Sequence, residues 1–271
     1  MTGFVGFGST PDIQSFPGTS LDNKSAIFEL YLRGRMRHAL TTEELTAIAD
    51  AADRTVHLGP RERLIRKGEL VHCSYFIVSG FTVRYKTDRR GYRQNVGMQV
   101  PGDWVGFHSF PTKHLDHDAC SVGEVELVAF PHEGLEKLIA KHPRLTRIMW
   151  FSTLLDAAIH REWLFKLGRL NAAQRIAHLI CELATRLEFV GLFDGHVLDT
   201  PLTQTDFAEA SGITAIHCNR SFRELREAGL LNNRIEDSAI HIEDRNGLEW
   251  FCEFDADYLY GEGELQLGVP Y

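Results

Sequence analysis

Apolar positions along the chain keep helical spacing twice near the start, at 25–38 and 42–52. In the second stretch Thr41 and Glu44 form a capping-box pattern ahead of Leu45, Ile48, Ala49 and Ala52 on one face. Between about 55 and 131 the period shortens. RLIRKG, YFIVSGFTVRY, QNVGMQV, DWVGF and VELVAF are short apolar runs separated by Gly, Pro, Asp and Lys turns. This spacing predicts an antiparallel sandwich or barrel. After Pro143 a long helix is expected to about residue 167. Leu145, Ile148, Phe151, Leu155, Ala158 and Ile159 follow three-and-four spacing, with Met149, Trp150, Leu154, Trp163 and Leu164 on further faces. A surface helix needs one apolar stripe, so this one is expected to be covered on two sides. One cover is its own sandwich and the other a second subunit, with Leu155 in the seam; a central helix in a monomer is the alternative. Another helix is expected over 172–189, with Ile176, Leu179, Ile180, Leu183 and Leu187 inward.

The segment 201–231, PLTQTDFAEASGITAIHCNRSFRELREAGLL, has a different grammar. Thr203 with Asp206 caps a short helix, Ser211-Gly212-Ile213 makes the turn, and Thr214 caps a longer helix that Gly229 ends. Helix, three-residue glycine turn, helix is the form of a helix-turn-helix. Cys218, Ser221, Phe222 and Leu225 face the body, which leaves Ala215, Ile216, Asn219, Arg220 and Arg223 outward. In a DNA major groove Arg220 suits the two acceptors of guanine and Asn219 the edge of adenine. Thr203, Thr214 and His217 suit phosphates, which position the helix without reading sequence. The runs LLNN and SAIHI that follow predict two short strands and a wing. The competing reading is an ordinary helical hairpin with solvated arginines.

Charge refines this picture. The net charge of −8 resides wholly beyond Asn232, where 10 acids face 2 basic residues, and the remaining chain is balanced. Locally basic stretches lie at 84–93, read as a solvated hairpin or a contact for DNA flanks or polymerase, and at 137–175. An acidic total therefore leaves room for a polyanionic partner. The five cysteines are scattered and form no C-x-x-C pair, as expected of a reduced cytosolic chain. No run approaches the length of a membrane span and no secretory signal is visible, so the expected location is cytoplasmic, with no membrane partner.

With these parts in order, residues 26–260 resemble the Crp-Fnr superfamily of bacterial transcription regulators, and the α-proteobacterial members most. The marks are Gly68-Glu69, the run YFIVSG at 75–80, PGDWVG at 101–106, and LTQTDFAEASGIT followed by NRSFRELREAGLL. LGRLNAAQRIAHLICEL and the ending FDADYL look most like the α-proteobacterial type. The resemblance implies an α+β fold: an N-terminal cyclic-nucleotide-binding-like β-roll (jelly roll), a long dimerisation helix and a C-terminal winged helix-turn-helix. The expected organisation is a flexible arm at 1–25, the sensor roll at 26–140, the dimerisation helix at 141–168, the DNA-binding unit at 169–260 and an acidic tail at 261–271. The implied partners are a second copy, double-stranded palindromic promoter DNA and RNA polymerase. Members that bind cyclic AMP carry a glutamate directly after the glycine at the Gly106 position and an Arg-Ser pair further on. Here those places hold Phe107 and, most simply, His117-Asp118, while His160 and Arg161 replace the polar residues that reach the base. An aromatic ring cannot accept the ribose hydroxyl proton, and aspartate repels a phosphate. The expected effector pocket is thus Phe107, His108, His117, Asp118, His160 and Arg161, its effector is not cyclic AMP, and no cofactor is implied.

His108, His114, Asp116, His117, Asp118 and Cys120 hold metal-ligand residue types on what reads as a strand-connecting loop. Their spacing matches no metal motif closely, and a solvated polar loop accounts for them, so neither a metal site nor catalytic residues are assigned. Cys181 and Cys218 read as core positions. A ligand- or metal-sensing roll acting through protein contacts, with a degenerate helix-turn-helix, is the alternative function.

Overall fold

The computed structural model describes residues 27, 29–35, 40–232 and 239–261. The expected N-terminal arm, the tip of the wing and nearly all of the acidic tail lie outside them. Helix α1 (Thr42–Asp50) begins at Thr41, whose hydroxyl accepts from the Glu44 amide while the Glu44 carboxylate accepts from the Thr41 amide. Eight strands follow: β1 (Arg54–Leu58), β2 (Arg63–Ile65), β3 (Cys73–Ser79), β4 (Thr82–Thr87), β5 (Arg93–Gln99), β6 (Trp104–Val105), β7 (Asp118–Ser121) and β8 (Val125–Pro131). They form two antiparallel four-stranded sheets, ordered β1-β8-β3-β6 and β2-β7-β4-β5. This is the jelly-roll sandwich.

The unbroken apolar run at 75–78 has a packing reason. Side chains alternate across a strand, and β3 and β8 are covered on both faces. Tyr75, Ile77, Leu127 and Ala129 cluster with Ile65 and Ala119 of the other sheet. Phe76, Val128 and Phe130 join helical Ile148, Leu155 and Ile180 in the larger core. Trp104 stacks its edge against Tyr31, Phe76 and Phe130 there.

A one-turn α2 (Ser109–Thr112) bridges β6 and β7, and α3 (His132–Lys141) leads into α4 (Pro143–Arg169). Proline at its first position suits α4, because that N–H has no helical partner. The helix has 27 residues and so spans about 40 Å. Leu145, Ile148, Phe151, Leu155 and Trp163 are buried in its own subunit. Trp150, Leu154 and Leu164 are 64%, 50% and 74% exposed and, with exposed Ala157, trace one stripe at seam spacing. Leu155, expected in the seam, instead packs inward, one residue round the helix from it.

Asn171 and Gln174 cap one another reciprocally and start α5 (Ala172–Phe189). Glu182, fully buried on α5, accepts bonds from Arg186, Trp163 and Tyr258. Arg186 reaches on to the Met98 carbonyl and to Asp103. This network ties α4, α5, a terminal 3-10 turn (Ala256–Leu259) and the roll together. Beyond it come β9 (Val197–Asp199), α6 (Gln204–Ser211), α7 (Ala215–Glu227), β10 (Ala239–His241) and α8 (Arg245–Phe251).

Two further expectations need correction. Strand β10 pairs with β9, which precedes the helix-turn-helix, while Leu231 makes only a single bridge to Ile242. Residues 118–121, read as part of a loop, form the strand β7 between β2 and β4. Among the described residues no helix is long and apolar enough to cross a membrane.

Candidate nucleic-acid interface and the neighbouring cleft

Thr203 opens α6 by accepting from the Asp206 amide, and the Asp206 carboxylate accepts back from the Thr203 amide and hydroxyl. Gly212, at φ 63°, ends the helix in the left-handed conformation that a side chain would disfavour. The Thr214 hydroxyl then accepts from the His217 amide and starts α7. Phe207 and Phe222 meet edge to face, with ring centres 5.2 Å apart, and the buried Cys218 thiol donates to the Gln204 carbonyl. These contacts orient α7. Cys218, Ser221, Phe222 and Leu225 are buried, Asn219 is half-buried, and Thr214, Ala215, Ile216, His217, Arg220 and Arg223 are exposed. Ile216 is 68% exposed, which nothing in the fold itself requires. Arg223 makes a long surface pair with Glu227 at 3.6 Å, and Thr203 is exposed at the start of α6.

Between the roll and α4 lies an open cleft of about 430 Å³ lined by Arg84, Lys86, Val96, His108, Asp116, His117, Asp156 and His160. His108, His117 and His160 were expected there. Four of its charged walls, Arg84, Lys86, Asp116 and Asp156, were not. Phe107 packs on Trp104, with ring centres 4.9 Å apart, and lines a smaller adjoining cavity. Asp118 lies outside the cleft and accepts from the Lys67 amide, because adjacent residues in an extended chain point to opposite faces. Arg161 is exposed on α4 and lines neither cavity. His114 bonds through Nδ1 with the Gly68 and Glu69 carbonyls, and Cys120 is buried under Arg93. Among the described residues no three ligating side chains are placed to hold a metal ion.

The basic run at 84–93 is not a uniformly solvated hairpin. Arg84 is buried and bonds Asp156 through both terminal nitrogens. Burial alone would raise the Asp156 carboxyl, but the Arg84 guanidinium outweighs it and leaves the group at about 2. Lys86 and His117 bond Asp116 and hold its carboxyl well below the usual range. Burial, reinforced by the charge on Arg84, pushes the His108 imidazole down to about 4. Burial also lowers His117, against the pull of Asp116. At neutral pH His117 is therefore uncharged, with Nδ1 donating to Asp116 at 2.8 Å, and its buried Nε2 is a bare acceptor.

At the far end of the same hairpin, Arg93 pairs with Glu209 at 3.2 Å and lies over the Tyr85 ring. Gln94 donates to the Glu209 carbonyl and Asn95 to that of Asp206. The first helix of the helix-turn-helix is thus seated on the roll.

Comparison with known proteins agrees with this architecture. Residues 55–142 match the cyclic nucleotide-binding domain family, and residues 174–251 match the Crp-like helix-turn-helix domain. The chain is a member of the Crp-Fnr superfamily of transcription regulators, with a DNA-binding helix-turn-helix. It is similar to the transcriptional activator protein FnrL of Cereibacter sphaeroides, with 28% identity over 63% of this chain and 69% of that protein. It is also similar to the nitrogen fixation regulation protein FixK of Bradyrhizobium diazoefficiens, at 25% identity over 71% and 84% of the two chains. The solved structure of FixK2 from Bradyrhizobium japonicum superposes with a TM-score of 0.67 and 22% identity, over 74% of this chain and 96% of that one, and so shares the fold. The family is one of transcription regulators rather than enzymes.

Proposed function

We propose that the protein is a homodimeric regulator that reads palindromic promoter DNA with α7 and is not controlled by cyclic AMP. In this reading residues 26–140 form the sensor, 141–168 the dimerisation helix and 169–260 the DNA-binding unit, working in the cytoplasm with RNA polymerase. The observation that carries it is the outward row of α7. Ala215, Ile216, His217, Asn219, Arg220 and Arg223 share its solvent side, while its other side is sealed on α6. Thr203 and Thr214 stand at the N-termini of α6 and α7, where phosphates are favoured. The exposed stripe of α4 supports a second copy as its cover. Burying a side chain such as Trp150 or Leu154 contributes about 1.5–3 kcal/mol each. Two recognition helices so joined read half-sites about 34 Å apart.

A mobility shift on a selected palindrome, against a scrambled duplex, tests the reading. Specific binding should exceed scrambled binding by roughly 10³-fold or more, and both should weaken steeply between about 50 and 200 mM salt. Equal affinity for both duplexes would refute it.

A further inference from the structure

The basic run at 84–93 meets partners at its two ends and none at its tip. Arg84 is held by Asp156, Lys86 by Asp116 and Arg93 by Glu209. The tip between them, Asp88 to Tyr92, is exposed throughout. Arg89 and Arg90 take part in none of the ion pairs among the described residues, and Tyr92 is 72% exposed. The turn itself is firmly made. The Asp88 amide donates to the Tyr92 carbonyl and the Gly91 amide to the Asp88 carbonyl, with Gly91 at φ 87°. Asp88 is the one acid of the tip, and its carboxylate accepts from the Arg90 and Tyr92 amides, so it folds back into the turn. Two arginines and a tyrosine are left facing solvent, all of them types that bond phosphates.

The direction of the hairpin decides what its tip can reach. Asn95 donates to the Asp206 carbonyl in the first turn of α6, and Gln94 donates to the Glu209 carbonyl one turn on. The Gln94 amide oxygen lies 3.6 Å from where a Cβ on Gly212 would stand, just past the last turn. Strand β5, followed backwards, therefore runs along α6 towards the turn that delivers the N-terminus of α7. At about 3.3 Å per residue the tip stands about 10 Å beyond Gln94. A major groove is about 12 Å wide, so a tip at that offset from a helix lying in the groove meets the sugar-phosphate wall rather than the base edges. Arg61 and Arg93 both pair with acids of α6, so the hairpin and the helix-turn-helix approach DNA as one body.

We infer that Arg89, Arg90 and Tyr92 form a second DNA contact, a clamp from the sensor roll on the phosphates that flank each half-site. This contact presupposes that α7 reads the groove, as proposed above. It adds affinity without sequence information, because bonds from arginine to phosphate strengthen binding to every duplex alike.

Mobility shifts of the full chain on two duplexes test this. One is a selected palindrome that ends at its half-sites, and the other carries about one further helical turn of unrelated sequence on each side. The double variant Arg89→Gln with Arg90→Gln changes only exposed side chains, so it should fold as the parent does. On the long duplex it should bind at least tenfold more weakly near physiological salt, with unchanged discrimination between operator variants. Each lost phosphate contact lowers the slope of log affinity against log salt by about 0.9, and a dimer carries two tips, so the slope should be shallower by about 2 to 4. On the short duplex the two proteins should bind alike. Equal binding of both proteins to the long duplex would overturn the inference and leave the recognition helix intact. So would a variant that binds as the parent does but no longer supports transcription by polymerase, which would assign the tip to a protein partner. A parent protein that does not prefer the palindrome to a scrambled duplex would instead remove the reading of α7, and this contact with it.

Discussion

Arg61 of the roll grips Asp206 at the start of the helix-turn-helix with two bonds, of 2.5 and 2.6 Å, between residues 145 positions apart. Asp206 is buried and also completes the cap of α6, so one carboxylate fixes both the helix start and its seat on the roll. Arg61 itself is held at φ 63°, a conformation that costs a non-glycine residue on the order of 1 kcal/mol. Arg61→Ala leaves a buried carboxylate without its cation and should cost about 1–3 kcal/mol, after allowance for the half-exposed arginine. Denaturant unfolding measures this, and hydrogen exchange should show α6 losing protection before the sheets do. Burial raises the Asp206 carboxyl, but the bonds from Arg61 and Thr203 bring it below its ordinary 3.8. Its contribution is therefore complete above about 3.8 and lost as pH falls below that.

His108 sets a second pH dependence in a different window. Its folded-state value is about 4 against an ordinary 6.5, because burial and Arg84 oppose its charge. The unfolded chain therefore binds the extra proton first, and stability should fall as pH drops from about 6.5 towards 4. The loss attributable to this group is on the order of 1–3 kcal/mol. His108→Asn, which cannot protonate, should flatten that part of the stability curve. Parallel curves for the parent and the variant between pH 7 and 4 would contradict the assignment.

How much of this was readable in the sequence depends on the reach of each interaction. The faces of α7 follow from a local period and a local cap, so Cys218, Phe222 and Leu225 separate cleanly from Ile216 and Arg220. The cleft depends on pairings across the fold. Nothing local tells that Arg84 leaves a basic run to meet Asp156, 72 residues on. Asp156, one of two acids on an otherwise basic and apolar helix, was the available signal. The four residues of β7, two polar and two small and apolar, look like a loop until β2 and β4 flank them. Strand β9 was missed because the whole helix-turn-helix separates it from its partner. Leu154 and Leu155 are the same residue type, and only packing decides which one the subunit covers.

Arg220→Ala should cost ~1–3 kcal/mol on the specific site and relax discrimination at one base pair. His217→Ala, at the exposed N-terminal turn of α7, should weaken specific and scrambled duplexes alike. Binding curves on a set of single-base operator variants distinguish the two. If Arg220→Ala binds the parent palindrome as tightly as the unaltered protein, the recognition role of that arginine is lost.

The stripe on α4 predicts the oligomeric state. Leu154→Glu places two like charges in the seam of a dimer and should give monomers at micromolar concentration that remain folded, since Leu154 contributes little to its own core. Leu155→Glu should instead unfold the subunit, because that side chain is 6% exposed. Light scattering separates the outcomes, and a monomeric parent would remove the basis for both halves of the comparison.

Cyclic AMP should fail as an effector, for reasons that the cleft now makes specific. A cyclic phosphate held beneath α4 needs its charge met, since an unpaired buried charge costs several kcal/mol. The arginine that lines this cleft, Arg84, bonds Asp156 through both terminal nitrogens. To take a phosphate it would have to leave a carboxylate that stays ionised down to about 2. His117 offers no help at neutral pH, because it is uncharged and its buried Nε2 presents a lone pair rather than a proton. Asp116, bonded to that same ring, adds a second negative charge to the cleft. Phe107, packed on Trp104, supplies no acceptor for the ribose hydroxyl. Calorimetry with cyclic AMP up to about 1 mM, the weak limit of interest, should give no saturable heat. Operator affinity should likewise be unchanged by the nucleotide. Asp156→Asn frees Arg84 and removes one repelling charge, so it is the variant in which a weak response should first appear. Saturable binding by the parent, accompanied by tighter operator binding, would show that Arg84 exchanges its partner after all.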